Sequence, residues 1–115
     1  MHEASLVGSI LQLVEDSARR EGFHRVNTLR LQAGALSGVE VGALRFALDA
    51  LAPGTCLQGA AFEIDEPAGQ AWCLACSLTV TIAQRGDACP RCGGYQLQPT
   101  GGTELRVIDM LVEDE

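Results

Sequence analysis

Lysine is absent: all eight basic residues in the chain of 115 are arginine. The only primary amine is therefore the α-amine of Met1. Aromatic residues are scarce, at 4%, and the formal net charge is −7. Phosphate backbones and stacked bases call for cations and aromatic platforms, so no nucleic-acid partner is expected. Histidine occurs only as His2 and His24. The start, Met1-His2-Glu3, has no basic stretch, and no uninterrupted apolar run follows it. Neither a signal peptide nor a membrane span is expected. That implies no membrane partner and a reducing, cytoplasmic setting. Hydrophobic residues still make up 47%, enough for a globular core rather than a disordered chain.

Cysteine is the informative presence. Cys73-Leu74-Ala75-Cys76 and Cys89-Pro90-Arg91-Cys92 are two C-x-x-C knuckles, with residues 77–88 between them. Two residues between thiols let the chain turn both sulfurs toward one ion. Two knuckles give four thiolates, a closed tetrahedral set for Zn²⁺. Gly93-Gly94 supplies backbone freedom after the second knuckle. In a reducing compartment clustered cysteines mean metal more often than disulfides. A disulfide pair or a redox-active C-x-x-C accounts less well for two matched pairs. A closed tetrathiolate has no open coordination position, so its zinc is expected to be structural rather than catalytic. Cys56 is the odd thiol, read as a small semi-buried residue after the Pro53-Gly54 turn.

The periodicity predicts a helix over Ala4 to Arg20. Leu6, Ile10, Leu13 and Val14 set its apolar face, and Val7, Leu11 and Ala18 widen it. Gly22 is placed to end it. Arg25 to Ala33 reads as a strand, with Leu29, Leu31 and Ala33 alternating against Thr28, Arg30 and Gln32. Ser37-Gly38-Val39-Glu40 has the spacing of a capping box for a second helix ending near Leu51. Val41, Leu44, Ala47, Leu48 and Leu51 are its expected inward residues. Ala60 to Asp65 alternates as a short strand. A last strand, Glu104 to Val112, has a mixed apolar phase: Leu105 and Val107 against Ile108, Met110 and Val112. A bulge or burial of both faces explains such a phase. One strand cannot stand alone after a metal module, so it is expected to return and pair with the earlier two. The zinc module is then an insertion.

Met1-His2-Glu3 places an α-amine, an amide, an imidazole and a carboxylate within three residues. Nitrogen donors of this kind chelate Ni²⁺ or Cu²⁺. A free amine has a pKa near ~7.7–8.0, so metal competes with a proton there. On these three residues alone, a solvated histidine and a helix-start glutamate explain the triplet as well.

Taken together, the chain resembles the HypA family, nickel-insertion accessory proteins of [NiFe] hydrogenase maturation. The matching residues are Met1-His2-Glu3-Ala4-Ser5-Leu6, Arg30-Leu31, Gly34-Ala35-Leu36-Ser37-Gly38-Val39-Glu40, Ala43-Leu44-Arg45-Phe46-Ala47 and the two knuckles. They run through nearly the full chain, in order. The resemblance implies an α+β fold of two helices on a three-stranded mixed sheet. Residues 1-68 and 101-115 would form this nickel-binding domain, and residues 69-100 an inserted zinc-ribbon domain. It implies nickel held by His2, with Met1 and Glu3 around it, and zinc held by Cys73, Cys76, Cys89 and Cys92. It implies Ni(II) as cargo and Zn(II) as a structural ion. The implied partners are a HypB-type GTPase and the hydrogenase large subunit, and in some organisms urease maturation proteins as well. A monomer or weak homodimer is expected. Some members carry histidines beside the zinc knuckles. This chain has none there, so a histidine-driven switch at its zinc is not expected.

The resulting expectation is a metallochaperone, not an enzyme. A chain terminus suits a protein that must release its ion, because an incoming partner can exchange ligands stepwise. The alternative is a zinc-ribbon adaptor for protein interaction without nickel transfer, which would be indifferent to loss of His2.

Overall fold

The first helix follows from its apolar spacing and is closed by a glycine. The computed structural model describes residues 3–113. In it α1 spans Glu3–Glu21. Gly22 follows in the left-handed region at φ 81° and donates to the Ala18 carbonyl at 2.8 Å. That is how a glycine closes a helix without the Cβ clash other residues suffer there. The buried stripe is Glu3, Val7, Ile10, Val14, Ser17 and Ala18. It sits slightly round the helix from the expected face: Leu13 is half exposed, and small Ser17 is inside instead.

The remaining elements, in chain order, are β1 (Val26–Ala33), α2 (Val41–Leu51), β2 (Ala61–Asp65), β3 (Gly69–Cys73), β4 (Leu78–Ile82), β5 (Leu97–Gly101) and β6 (Leu105–Val112). They form two three-stranded sheets, ordered β2-β1-β6 and β4-β3-β5. The last strand therefore does return to the first two, as the pairing argument requires. Two helices, a three-stranded sheet and an inserted cysteine module make the α+β architecture expected from the sequence.

The chain divides into two compact units. The first takes residues 1–31, 40–64 and 107–115. Its buried side chains come from α1, from β1 (Val26, Leu29, Leu31) and from α2 (Leu44, Ala47, Leu48). α1 packs against α2. Arg30 on β1 reaches Asp109 on β6 at 2.8 Å, and Arg45 of α2 donates to the Phe62 carbonyl of β2 at 2.9 Å. Leu51, expected inward, is exposed at the last turn of α2, as is Phe46. A helix of three turns presents only part of each turn to a core, and 44, 47 and 48 already fill that arc. β6 shows the mixed phase: Val107 and Ile108 are both half-buried, and Leu111 is exposed.

The start of α2 corrects the capping box. Glu40, not Ser37, is the N-cap: its carboxylate accepts from the Gly42 and Ala43 amides. The Ser37 hydroxyl accepts instead from the Val39 amide at 3.3 Å, a local serine turn that precedes the helix. The spacing S-x-x-E fits either arrangement. A glutamate long enough to fold back onto the second and third helical amides wins here.

The second unit takes residues 32–39 and 65–106. Its sheet is antiparallel, with Ala71 opposite Val80 and Cys73 opposite Leu78 and Leu97. Leu36 joins Ala71, Cys73, Val80, Ile82 and Cys89 in its apolar cluster, with Cys76, Leu78 and Leu97 packed against it. Residues 34–36 are laced to other loops of the unit: Gly34 N–H to Glu104 O, Ala35 N–H to Pro67 O and Leu36 N–H to Gly102 O, at 2.7–3.0 Å. Gly34 lies so close to Gly102 that a Cβ would stand 2.1 Å from the Gly102 carbonyl oxygen. Backbone on backbone cannot move aside as a flexible side chain can. Gly34→Ala is expected to cost roughly 3 kcal/mol or more in urea unfolding of the zinc-loaded protein, at the severe end for overpacking.

Candidate metal centre

Each knuckle repeats one piece of backbone geometry. Ser77 donates its N–H to the Cys73 carbonyl at 2.8 Å, and Gly93 donates to the Cys89 carbonyl at the same distance. The residue after each second cysteine is left-handed: Ser77 at φ 54° and Gly93 at φ 76°. Glycine takes that conformation freely. A serine does so at a cost of order 1 kcal/mol, tolerated where surrounding contacts over-determine it. The sequence pointed to the turn at Gly93, and Ser77 gave no such signal.

Backbone amides then aim at the sulfurs. Cys76 N–H points to Cys73 Sγ, Arg91 N–H to Cys89 Sγ and Gly94 N–H to Cys92 Sγ, each at 3.4 Å. Such donors stabilise thiolate over thiol. The four sulfurs of Cys73, Cys76, Cys89 and Cys92 all lie within 4.8 Å of one another. Cys73 and Cys92 Sγ are 3.8 Å apart, and all cysteines are free. A disulfide needs about 2.05 Å. Four Zn–S bonds of about 2.3 Å set tetrahedrally imply S···S edges of about 3.8 Å. The donor set therefore fits Zn²⁺, and the disulfide reading fails on distance.

The thiols also compete for charge. Cys89 is drawn down to about 7, first by the Cys92 amide and also by the Arg91 amide. Cys76 is pushed up to about 12, first by its hydrogen bond to Cys92 and then by burial and its bonds to Cys73 and Cys89. Four sulfurs this close cannot all ionise without a cation among them. A divalent ion removes that conflict, and its binding must release protons.

The other candidate ligands are placed differently. Met1 and His2 lie outside the described residues. Glu3 opens α1 and is buried, with its Oε2 accepting from the Glu40 amide at 3.3 Å. Cys56 is buried in the first unit and is not among the four clustered sulfurs. Its amide donates to Glu15 Oε2 at 3.4 Å, and burial followed by the Glu15 carboxylate pushes its thiol up. An inert packing role fits it. His24 is exposed between α1 and β1. Among the described residues, no other group of three or more His, Cys, Asp or Glu side chains converges on one point, and no helix is long and apolar enough to cross a membrane.

Fold and site define an α+β protein with a four-cysteine cluster that fits a closed, structural zinc. Residues 1–112 match the family described as "Hydrogenase/urease nickel incorporation, metallochaperone, hypA". The chain is 70% identical to the Hydrogenase maturation factor HypA of Polaromonas naphthalenivorans, with 100% of both chains covered. It is 69% identical to the factor of the same name from Cupriavidus necator, covering 99% of this chain and 96% of the other. The solution structure of the Ni metallochaperone HypA from Helicobacter pylori matches over 100% of both chains, with a TM-score of 0.69 and 22% identity. At that identity it speaks for the fold. The chain belongs to the HypA family of nickel-incorporation metallochaperones.

Proposed function

We propose that this nickel metallochaperone of hydrogenase maturation takes up its cargo at the first three residues of the chain. His2 is the required ligand, with the Met1 amine and the Glu3 carboxylate around it. The observation that carries the reading is the family match, which runs from residue 1 to residue 112 and so includes Met1-His2-Glu3. Glu3 supports it: a buried carboxylate at the start of α1 is unusual unless it has work to do, and here it meets the Glu40 amide.

In this reading two domains, with the bounds expected from the sequence, divide the labour. Residues 1-68 and 101-115 carry nickel, and residues 69-100 carry zinc. Zinc held by Cys73, Cys76, Cys89 and Cys92 supplies a crosslink and no reaction step. The protein is a carrier rather than an enzyme. It works in the cytoplasm, receives or passes nickel in company with a HypB-type GTPase, and delivers it to the hydrogenase large subunit. A zinc-ribbon adaptor without nickel gains nothing from the geometry or the relatives. Nickel titration of zinc-loaded wild-type and His2→Ala protein tests the reading. Wild type is expected to bind one nickel per chain and the variant to lose it. Equal binding would sink the proposal.

A further inference from the structure

We propose that Glu40 is a positioning residue of the nickel site: its side chain fixes the start of α2, so that its own N–H holds the Glu3 carboxylate in place. The inference rests on the N-terminal nickel reading and asks what keeps Glu3 where cargo can meet it.

The first amides of a helix lack partners within the helix. In a local capping box, a Glu or Gln at the third helical position reaches back to the N-cap amide. Here the third position is Ala43, which has no acceptor. Glu3 takes that role from 37 residues away, accepting from the Glu40 amide at 3.3 Å. Glu40 meanwhile sits in extended conformation at φ −87° and ψ 114°. Its Oε1 accepts from Ala43 at 2.8 Å and its Oε2 from Gly42 at 3.1 Å. Two carboxylates thus satisfy three neighbouring amides, and the first turn of α1 is tied to the first turn of α2.

Gly42 makes the arrangement possible. A glutamate must fold back further than the usual short capping residues. A Cβ at position 42 would stand 3.1 Å from Glu40 Oε1, so the missing side chain leaves the carboxylate its place. Both Glu40 oxygens are engaged with backbone, and its contribution to nickel runs through Glu3. Holding one ligating or orienting group in advance lowers the ordering cost of closing a site on a chain end.

The test uses the untagged, zinc-loaded full chain and nickel titration by calorimetry. Glu40→Ala removes the cap and is expected to weaken nickel binding about tenfold, the size of one hydrogen bond to a charged group. Glu40→Asn keeps a good N-cap without a carboxylate. It is expected to bind within about twofold of wild type, with an unchanged nickel X-ray absorption spectrum. If Glu40→Asn restores the helix but binds nickel as poorly as Glu40→Ala, the carboxylate itself ligates nickel and the positioning role is overturned. Wild-type affinity in Glu40→Ala overturns it as well. Should Glu40→Ala fail to fold, hydrogen exchange of the Glu40 amide in Glu3→Ala protein decides. Protection should fall about tenfold, and unchanged protection contradicts the link. His2→Ala run alongside separates the two claims, since nickel retained there defeats the terminal site whatever Glu40 does.

Discussion

Cys92→Ser or Cys76→Ser is expected to release zinc and open the 65–106 segment to protease, while α1, α2 and β1 keep their structure. The apolar cluster of that unit is small; Cys73 and Cys89 are themselves members of it, and Cys76 packs against it. Without the ion these thiols no longer crosslink the two knuckles, and Leu36, Val80 and Ile82 remain as the main apolar mass. Too little is left to hold a short three-stranded sheet, so metal binding is folding energy here. The other unit is built differently. Its buried Val7, Val14, Leu29, Leu44 and Leu48 come from two helices and a strand and include no metal ligand. Acid should mimic the substitution, because protons compete with metal for thiolates. Zinc retention is full at alkaline pH and is lost as pH falls through the range where the bound thiolates take up protons. Limited proteolysis with zinc analysis checks this. Loss of helical circular dichroism on mild chelation would show instead that the whole chain depends on the metal.

The second large effect concerns the chain start, and the missing lysines make it clean. Amine-selective acetylation can modify only the Met1 amine. His2→Ala is expected to weaken nickel binding about a hundredfold or more, since even second-shell partners of metal ligands are worth 10–100-fold. Acetylated protein is expected to lose affinity markedly as well, because acetylation replaces the basic amine lone pair with an amide that must lose a proton before it can bind. Zinc content should be unchanged in both, thiolates being its only ligands. Nickel affinity should also fall as pH drops below ~7.7 and then ~6.5, where the amine and the imidazole take up protons. If acetylated protein binds like untreated protein while His2→Ala does not, the amine is not a ligand and His2 works with its own amide or with Glu3. If all three bind alike, the terminal site is wrong.

The sequence was most legible where chemistry needs a fixed spacing. Two C-x-x-C pairs gave the four-sulfur cluster outright, since no other arrangement of those residues meets one ion so simply. Period and breaker residues gave both helices and the first strand, because the apolar stripes of α1 and β1 face one core. The returning β6 followed from the instability of a lone strand. What stayed hidden depends on contacts distant in sequence. Ser37 and Glu40 share one pattern, and only the fold decides which of them caps α2. Glu3 reads as a helix-start acid or a residue beside nickel, and its bond to the Glu40 amide appears only when α2 is brought to it. Leu36 looks like loop, yet it packs on Val80 and Ile82 once residues 34–36 are laced to 67 and 102–104. Leu13 and Leu51 are apolar and on the expected helices, yet both are exposed, while small Ser17 takes a buried place in α1 and Leu44, Ala47 and Leu48 fill the arc of α2.

The most direct measurement is X-ray absorption at the nickel and zinc edges of one untagged sample loaded with one equivalent of nickel. Two separate sites require a zinc spectrum of four sulfurs and a nickel spectrum of nitrogen and oxygen donors with no sulfur. The His2→Ala protein should show the same zinc spectrum and little bound nickel. Sulfur at the nickel edge, or zinc displaced by added nickel, would put the cargo on the cysteines and contradict the account.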